Sequence, residues 1–134
     1  MHDDQPRVRL LGPVQIAGRD GHLVDPSGAR LRALVAALAL QPGQPHSVEA
    51  LTDPLWADEP PRAPRAALQT LVSRLRAVTP DGLVAFGAAG YHLAVDADQT
   101  DLGRARLGLA TARTESDPAG AVAELDRALA LWCG

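Results

Sequence analysis

Between Pro61 and Val78 every charged residue is an arginine. Arg62, Arg65, Arg74 and Arg76 share this stretch with Gln69, Thr70 and Ser73, and no Asp or Glu interrupts it. A guanidinium matches a phosphate or the O6/N7 edge of guanine with two parallel N–H donors, and the amide of Gln can do the same for adenine. Short hydroxyls add single hydrogen bonds to either target. At 100° per residue, Arg62, Arg65, Gln69, Ser73 and Arg76 fall within an arc of about 80° on a helical wheel. Thr70 and Arg74 flank that arc, and Leu68, Leu71, Val72, Leu75 and Val78 lie across from it. The pattern is that of a helix with an aliphatic face and a face able to hold nucleic acid. A solvated arginine-bearing surface has the same pattern, so the surroundings must decide.

The rest of the composition excludes much. The chain has 134 residues, a net charge of −3 and 46% hydrophobic residues, enough for one ordinary core. All of its basic residues are Arg. Without lysine it has no P-loop and no Schiff-base chemistry. The charge is divided: the Pro61–Val78 stretch is basic, whereas from Asp96 onward acids outnumber arginines. Screening over roughly 8–10 Å makes this distribution matter more than the sum. The lone Cys133 precludes an internal disulfide, and no metal site is expected from His2, His22, His46 and His92, which are widely scattered. His46, Ser47 and Asp53 lack the order of a nucleophile and base, and Asp58-Glu59 reads as a solvated pair, so no enzyme and no cofactor are expected. The first residues carry no signal-peptide pattern, and no apolar run nears the ~20 residues of a membrane span. A cytoplasmic chain without membrane attachment is expected.

The elements that must carry the arginine face read as α+β. Arg7 to Ala17 alternates in the manner of strands. A turn at Gly18–Gly21 and a return at His22–Val24 complete a small antiparallel sheet. Pro26-Ser27-Gly28 opens a first helix with Leu31, Leu34, Val35 and Leu38 on one stripe, ended by Gln41-Pro42-Gly43. Ser47 is the expected N-cap of a second helix, which Pro54 is expected to shorten. A Pro-rich loop from Trp56 to Pro64 precedes the third helix, and Thr79-Pro80-Asp81-Gly82 stops it. Leu83–Phe86 and Tyr91–Val95 read as a hairpin with Gly87–Gly90 at its tip. This order is a winged helix-turn-helix with an N-terminal antiparallel sheet and a C-terminal β-hairpin wing. Thr100 or Asp101 then caps a helix through Arg113, with Leu102, Ala105, Leu109 and Ala112 inward. Asp117-Pro118 starts another helix, lined by Val122, Leu125, Leu129 and Trp132. Together they form an αα-hairpin whose apolar end at Trp132 calls for further chain beyond Gly134.

The run Leu68-Gln69-Thr70-Leu71-Val72-Ser73-Arg74-Leu75-Arg76 resembles the Streptomyces antibiotic regulatory protein (SARP) family. The likeness extends to Val8–Pro13, to Leu51–Trp56 with Ala57–Pro61, to Gly90–Val95, to Asp101-Leu102 and to Ala128–Trp132. It implies an OmpR/PhoB-type winged helix over 1–96. From 97 to 134 it implies the start of a bacterial transcriptional activation domain, a helical-repeat, TPR-like module. It further implies an activator, serving a biosynthetic gene cluster, that binds direct repeats of double-stranded promoter DNA beside a second protomer and recruits RNA polymerase. By position Arg74 and Arg76 take the main DNA-contacting roles. Trp56, Asp58 and Glu59 match the loop that faces polymerase, although a Trp closing a helix also suits a core. The chain departs from the family pattern at Leu71, where a polar His is frequent, at Ala77, where a basic residue is frequent, and in a hairpin tip without Arg or Lys. Each departure removes a phosphate contact and its share of the salt dependence. The alternative is a winged helix that has kept its shape for protein interaction and binds DNA little.

Overall fold

The structure, a computed structural model, describes residues 5–114 together with Gly120 and Val122. Of the expected helix from Asp117 onward only Gly120 and Val122 are described; both are helical, and Val122, expected to line it, is 57% exposed, whereas Leu125, Leu129, Trp132 and the αα-hairpin they would complete lie outside the described residues.

The N-terminal sheet is three short antiparallel strands in the order β1 (Val8–Arg9), β2 (Gln15–Ala17) and β3 (Leu23–Val24). Val8 pairs with Ile16 and Ile16 with Val24, so the alternating apolar residues share one buried face. Helix α1 (Ala29–Ala39) follows, with Leu31, Leu34, Val35 and Leu38 all buried as its spacing requires. Helix α2 (Val48–Leu55) begins where the Ser47 hydroxyl accepts the Ala50 N–H at 3.1 Å. Pro54 does not shorten it. Near the C-terminal end the helix loses one bond to the Ala50 carbonyl and still reaches Leu55.

Helix α3 runs Pro64–Val78. It begins three residues later than the arginine pattern suggests, because Pro64 is its first residue and Arg62 lies in the preceding loop. Leu68, Leu71, Val72 and Leu75 are buried against α2 and the following hairpin, whereas Val78, expected on that stripe, is 41% exposed. The helix ends at Thr79, whose buried hydroxyl donates back to the Leu75 carbonyl at 3.0 Å.

Strands β4 (Val84–Gly87) and β5 (Gly90–Leu93) pair in register, so Gly87 and Gly90 belong to the ladder and only Ala88-Ala89 form the tip. His46 joins this hairpin from the other side: its N–H donates to the Tyr91 carbonyl at 2.8 Å and its carbonyl accepts the Tyr91 N–H at 2.9 Å. That pairing fixes Gly90, which has φ +125°; a Cβ there would stand 1.9 Å from the His46 carbonyl oxygen. A short 3-10 turn (Ala97–Gln99) leads to α4 (Asp101–Thr114). Thr100 rather than Asp101 plays the cap, accepting the Gly103 N–H at 2.9 Å. Leu109, expected inward on α4, is 43% exposed. Among the described residues the outcome is an α+β arrangement of two small antiparallel sheets and the four helices α1 to α4 around an aliphatic core.

Gly90→Ala should cost on the order of 1–3 kcal/mol, from a positive φ combined with a backbone clash. Urea unfolding of the two proteins measures it, and amide exchange at Tyr91 should rise in the variant.

Candidate nucleic-acid interface

The aliphatic stripe of α3 faces the core, so its other residues must face solvent. Arg65, Gln69, Thr70, Ser73, Arg74 and Arg76 are all exposed on this one helix, and Arg62 is exposed just ahead of it. The helix holds no acid. Its N-cap position is Ala63, which offers no side-chain acceptor to the open N–H groups of the first turn. Arg65 sits in that same turn, where a cation opposes the helix dipole. An anion placed there would relieve both conditions.

The seven candidate side chains are held differently. Among the described residues, Arg62, Arg65, Gln69 and Ser73 make no side-chain bond to the protein, so their donors face outward. Thr70 donates its hydroxyl to the Ala66 carbonyl at 3.1 Å. Arg74 reaches across to the Ser27 carbonyl ahead of α1, at 3.3 Å. Arg76 turns toward the hairpin: its Nε donates to the Val84 carbonyl at 3.1 Å and its guanidinium lies 5.9 Å from the Tyr91 ring centroid. Tyr91 in turn contacts Phe86 at 4.6 Å between centroids. The two arginines singled out by position are thus the ones tied to the scaffold, and the outward arc is Arg65, Gln69 and Ser73, with Arg62 off its end.

Trp56, matched to the polymerase-facing loop but also suited to a core, is buried. Its ring is in the core at 9% exposure, with the Arg30 guanidinium 5.1 Å above it while Arg30 Nε holds the Leu55 carbonyl at 3.1 Å. Asp58 and Glu59, in the loop after α2, are exposed. The hairpin tip carries no charge, and Phe86 beside it is 56% exposed.

Two residues that position this face escaped the sequence reading. Arg19, in the β2–β3 turn, closes the C-terminal end of α3. It donates to the carbonyls of Ala77 at 3.2 Å and Arg76 at 3.1 Å and pairs with Asp81 at 3.1 Å. A cation at a helix C-terminus is favourable, but its partners lie 57 to 62 residues away and leave no local pattern. His46 acts through its backbone, which no side-chain pattern reports. Among the described residues no three His, Cys, Asp or Glu side chains converge on a metal-sized site, and no helix is long and apolar enough to cross a membrane.

No family model matches the chain. Its relatives are nevertheless consistent. The chain is 39% identical over 133 residues to the regulatory protein AfsR of Streptomyces coelicolor, covering 96% of this chain and 13% of AfsR. It is 34% identical over 111 residues to the regulatory protein DnrI of Streptomyces peucetius, covering 72% and 39%. A solved structure of Mycobacterium tuberculosis EmbR, in complex with a low-affinity phosphopeptide, superposes with a TM-score of 0.80 at 30% identity, covering 98% of this chain and 37% of that one. These likenesses bear out the resemblance to the Streptomyces antibiotic regulatory protein family. It spans well under half the length of each of these relatives.

Arg76→Ala should loosen the hairpin, because one hydrogen bond and one cation–π contact join it to α3 there. Amide exchange within Val84–Leu93 should speed up at a cost of about 1 kcal/mol, read by NMR. Arg65→Ala, which removes no bond within the protein, should leave those rates unchanged.

Proposed function

We propose that this segment is the DNA-reading unit of a transcriptional activator. In this reading α2 and α3 are the helix-turn-helix, α3 enters the major groove, and β4–β5 is the wing. The observation that carries it is the outward arc of Arg65, Gln69 and Ser73, with no protein partner among the described residues and no acid on the helix. Arg65 and Gln69 suit bidentate pairing with base edges. Arg62, Arg74 and the open first turn of α3 suit phosphates. Thr70 and Arg76 flank them, with Arg76 setting the angle between helix and wing as well as lying near the duplex. The relatives' names as regulatory proteins support a regulatory role, and a biosynthetic gene cluster is its proposed target. Direct repeats would seat a second protomer beside the first. Asp58 and Glu59 would present an acidic loop to RNA polymerase. We place the chain in the cytoplasm with its DNA and assign residues 1–96 to the DNA-reading unit and 97–134 to the start of the helical activation module.

A second reading has one observation in its favour. The tip of the hairpin is apolar, with Phe86 exposed, where a duplex would be met more tightly by a cation. In that reading the unit is a protein-interaction module of winged-helix shape with little DNA affinity.

Fluorescence anisotropy with the chain's own promoter fragment and a scrambled duplex separates the two. A DNA reader binds its promoter more tightly, and log affinity falls linearly with log salt, with a slope of about −0.9 for each phosphate neutralised. Arg62→Ala should make that slope shallower by about one contact. Gln69→Ala should instead erode the preference for promoter over scrambled DNA by about 1–3 kcal/mol. Equal affinity for both duplexes sinks the sequence-specific reading. Unchanged binding of a protein partner after Arg65→Ala and Gln69→Ala would then favour the interaction module.

A further inference from the structure

Asp101 opens α4 with no exposed surface at all. Its Oδ1 accepts the N–H of Leu10 at 2.7 Å and that of Leu102 at 2.7 Å, and its Oδ2 accepts the N–H of Leu11 at 3.0 Å. Leu10 and Leu11 directly follow β1, some ninety residues earlier in the chain. A carboxylate removed from water is tolerated only when its oxygens are well supplied with donors, and here three backbone N–H groups converge on it. Those of Leu10 and Leu11 lie just past the short strand, outside its paired residues.

The neighbouring backbone repeats the connection. The Arg7 N–H donates to the Gln99 carbonyl at 2.7 Å, and Val8 forms a parallel bridge with Thr100. Thr100 is 1% exposed. Gly103 lies so near the 3-10 turn that a Cβ on it would stand 1.9 Å from the Ala97 carbonyl oxygen. The segment 99–101 therefore runs as an added edge along β1, and the carboxylate closes it. A flexible linker would show none of these features.

We infer that Asp101 is a positioning residue: a buried joint that locks α4 to the N-terminal sheet and holds it in one orientation relative to α3. The end of α4 is then held in a fixed direction relative to the arginine-bearing unit. If that unit reads DNA, docking of α3 also aims the helical module attached to it. That consequence rests on the DNA-binding reading; the joint itself does not.

The test places spin labels at Ala33→Cys in α1 and Ala110→Cys in α4, in a Cys133→Ser background, and measures their distance distribution without DNA. The parent should give one narrow distribution. Asp101→Ala should broaden it markedly, and Asp101→Asn, which keeps one acceptor oxygen but turns an amide toward the donors, should broaden it less. A distribution as narrow in Asp101→Ala as in the parent overturns the joint. Should Asp101→Ala fail to fold, hydrogen exchange in the unaltered chain decides. Leu10 and Leu11 amides should exchange at least about tenfold more slowly than that of exposed Gly12, and equal rates overturn the proposal. Promoter affinity in the folded Asp101→Asn variant should stay within about threefold of the parent, less than 1 kcal/mol. A larger loss would assign Asp101 to the reading unit itself and overturn its role as a joint to the module. Because the labels report without DNA, a chain that fails to bind its promoter leaves the joint standing and removes only the reading built on it.

Discussion

Leu68, Leu71, Val72 and Leu75 hold α3 against α2 and the hairpin by burying one stripe of its surface. Each such side chain contributes about 1.5–3 kcal/mol when taken out of water, far more than a single exposed arginine gains from any neighbour. The stripe therefore sets the rotation of the helix, and the rotation sets which polar residues face outward. Leu71 belongs to this stripe at 5% exposure.

Rotation alone does not aim a helix; its ends must also be held. At the C-terminal end Arg19 covers the last carbonyls, and Arg76 ties the final turn to the hairpin through Val84 and Tyr91. Along its flank Arg74 bonds to the backbone ahead of α1. The N-terminal end is different, with no side-chain cap and an arginine in its first turn. The helix is thus secured where it meets the body of the protein and left electrostatically unsatisfied where it projects. The arginines divide accordingly, with Arg74 and Arg76 serving the scaffold and Arg62 and Arg65 keeping their donors outward.

The hairpin and the N-terminal sheet are both completed by distant backbone. His46 extends the hairpin as a third edge, and residues 99–101 extend the sheet beside β1. Two- and three-stranded sheets this short are marginal by themselves. Each edge added from elsewhere in the chain supplies hydrogen bonds that the strands lack and ties a further helix to the same core.

Much of this could be read in the sequence, because much of it is local. The period of Leu31, Leu34, Val35 and Leu38, the Ser47 cap, the alternation of Val8 and Ile16 and the stops at Pro42 and Pro80 each act over a few residues. They determined the element order and the arginine face. The differences lay at the tip at Ala88-Ala89 and in the exposure of Val78 at the end of α3 and of Leu109 within α4, where periodicity continues but the packing surface does not. Tertiary structure alone decided which polar side chains were occupied. Arg65 and Arg76 are the same residue type on the same helical arc, and only the approach of Val84 and Tyr91 separates them. Trp56 and Asp101 went into the interior for the same reason. A side chain's partner is chosen by where the chain returns in space, and that return leaves no period in the sequence.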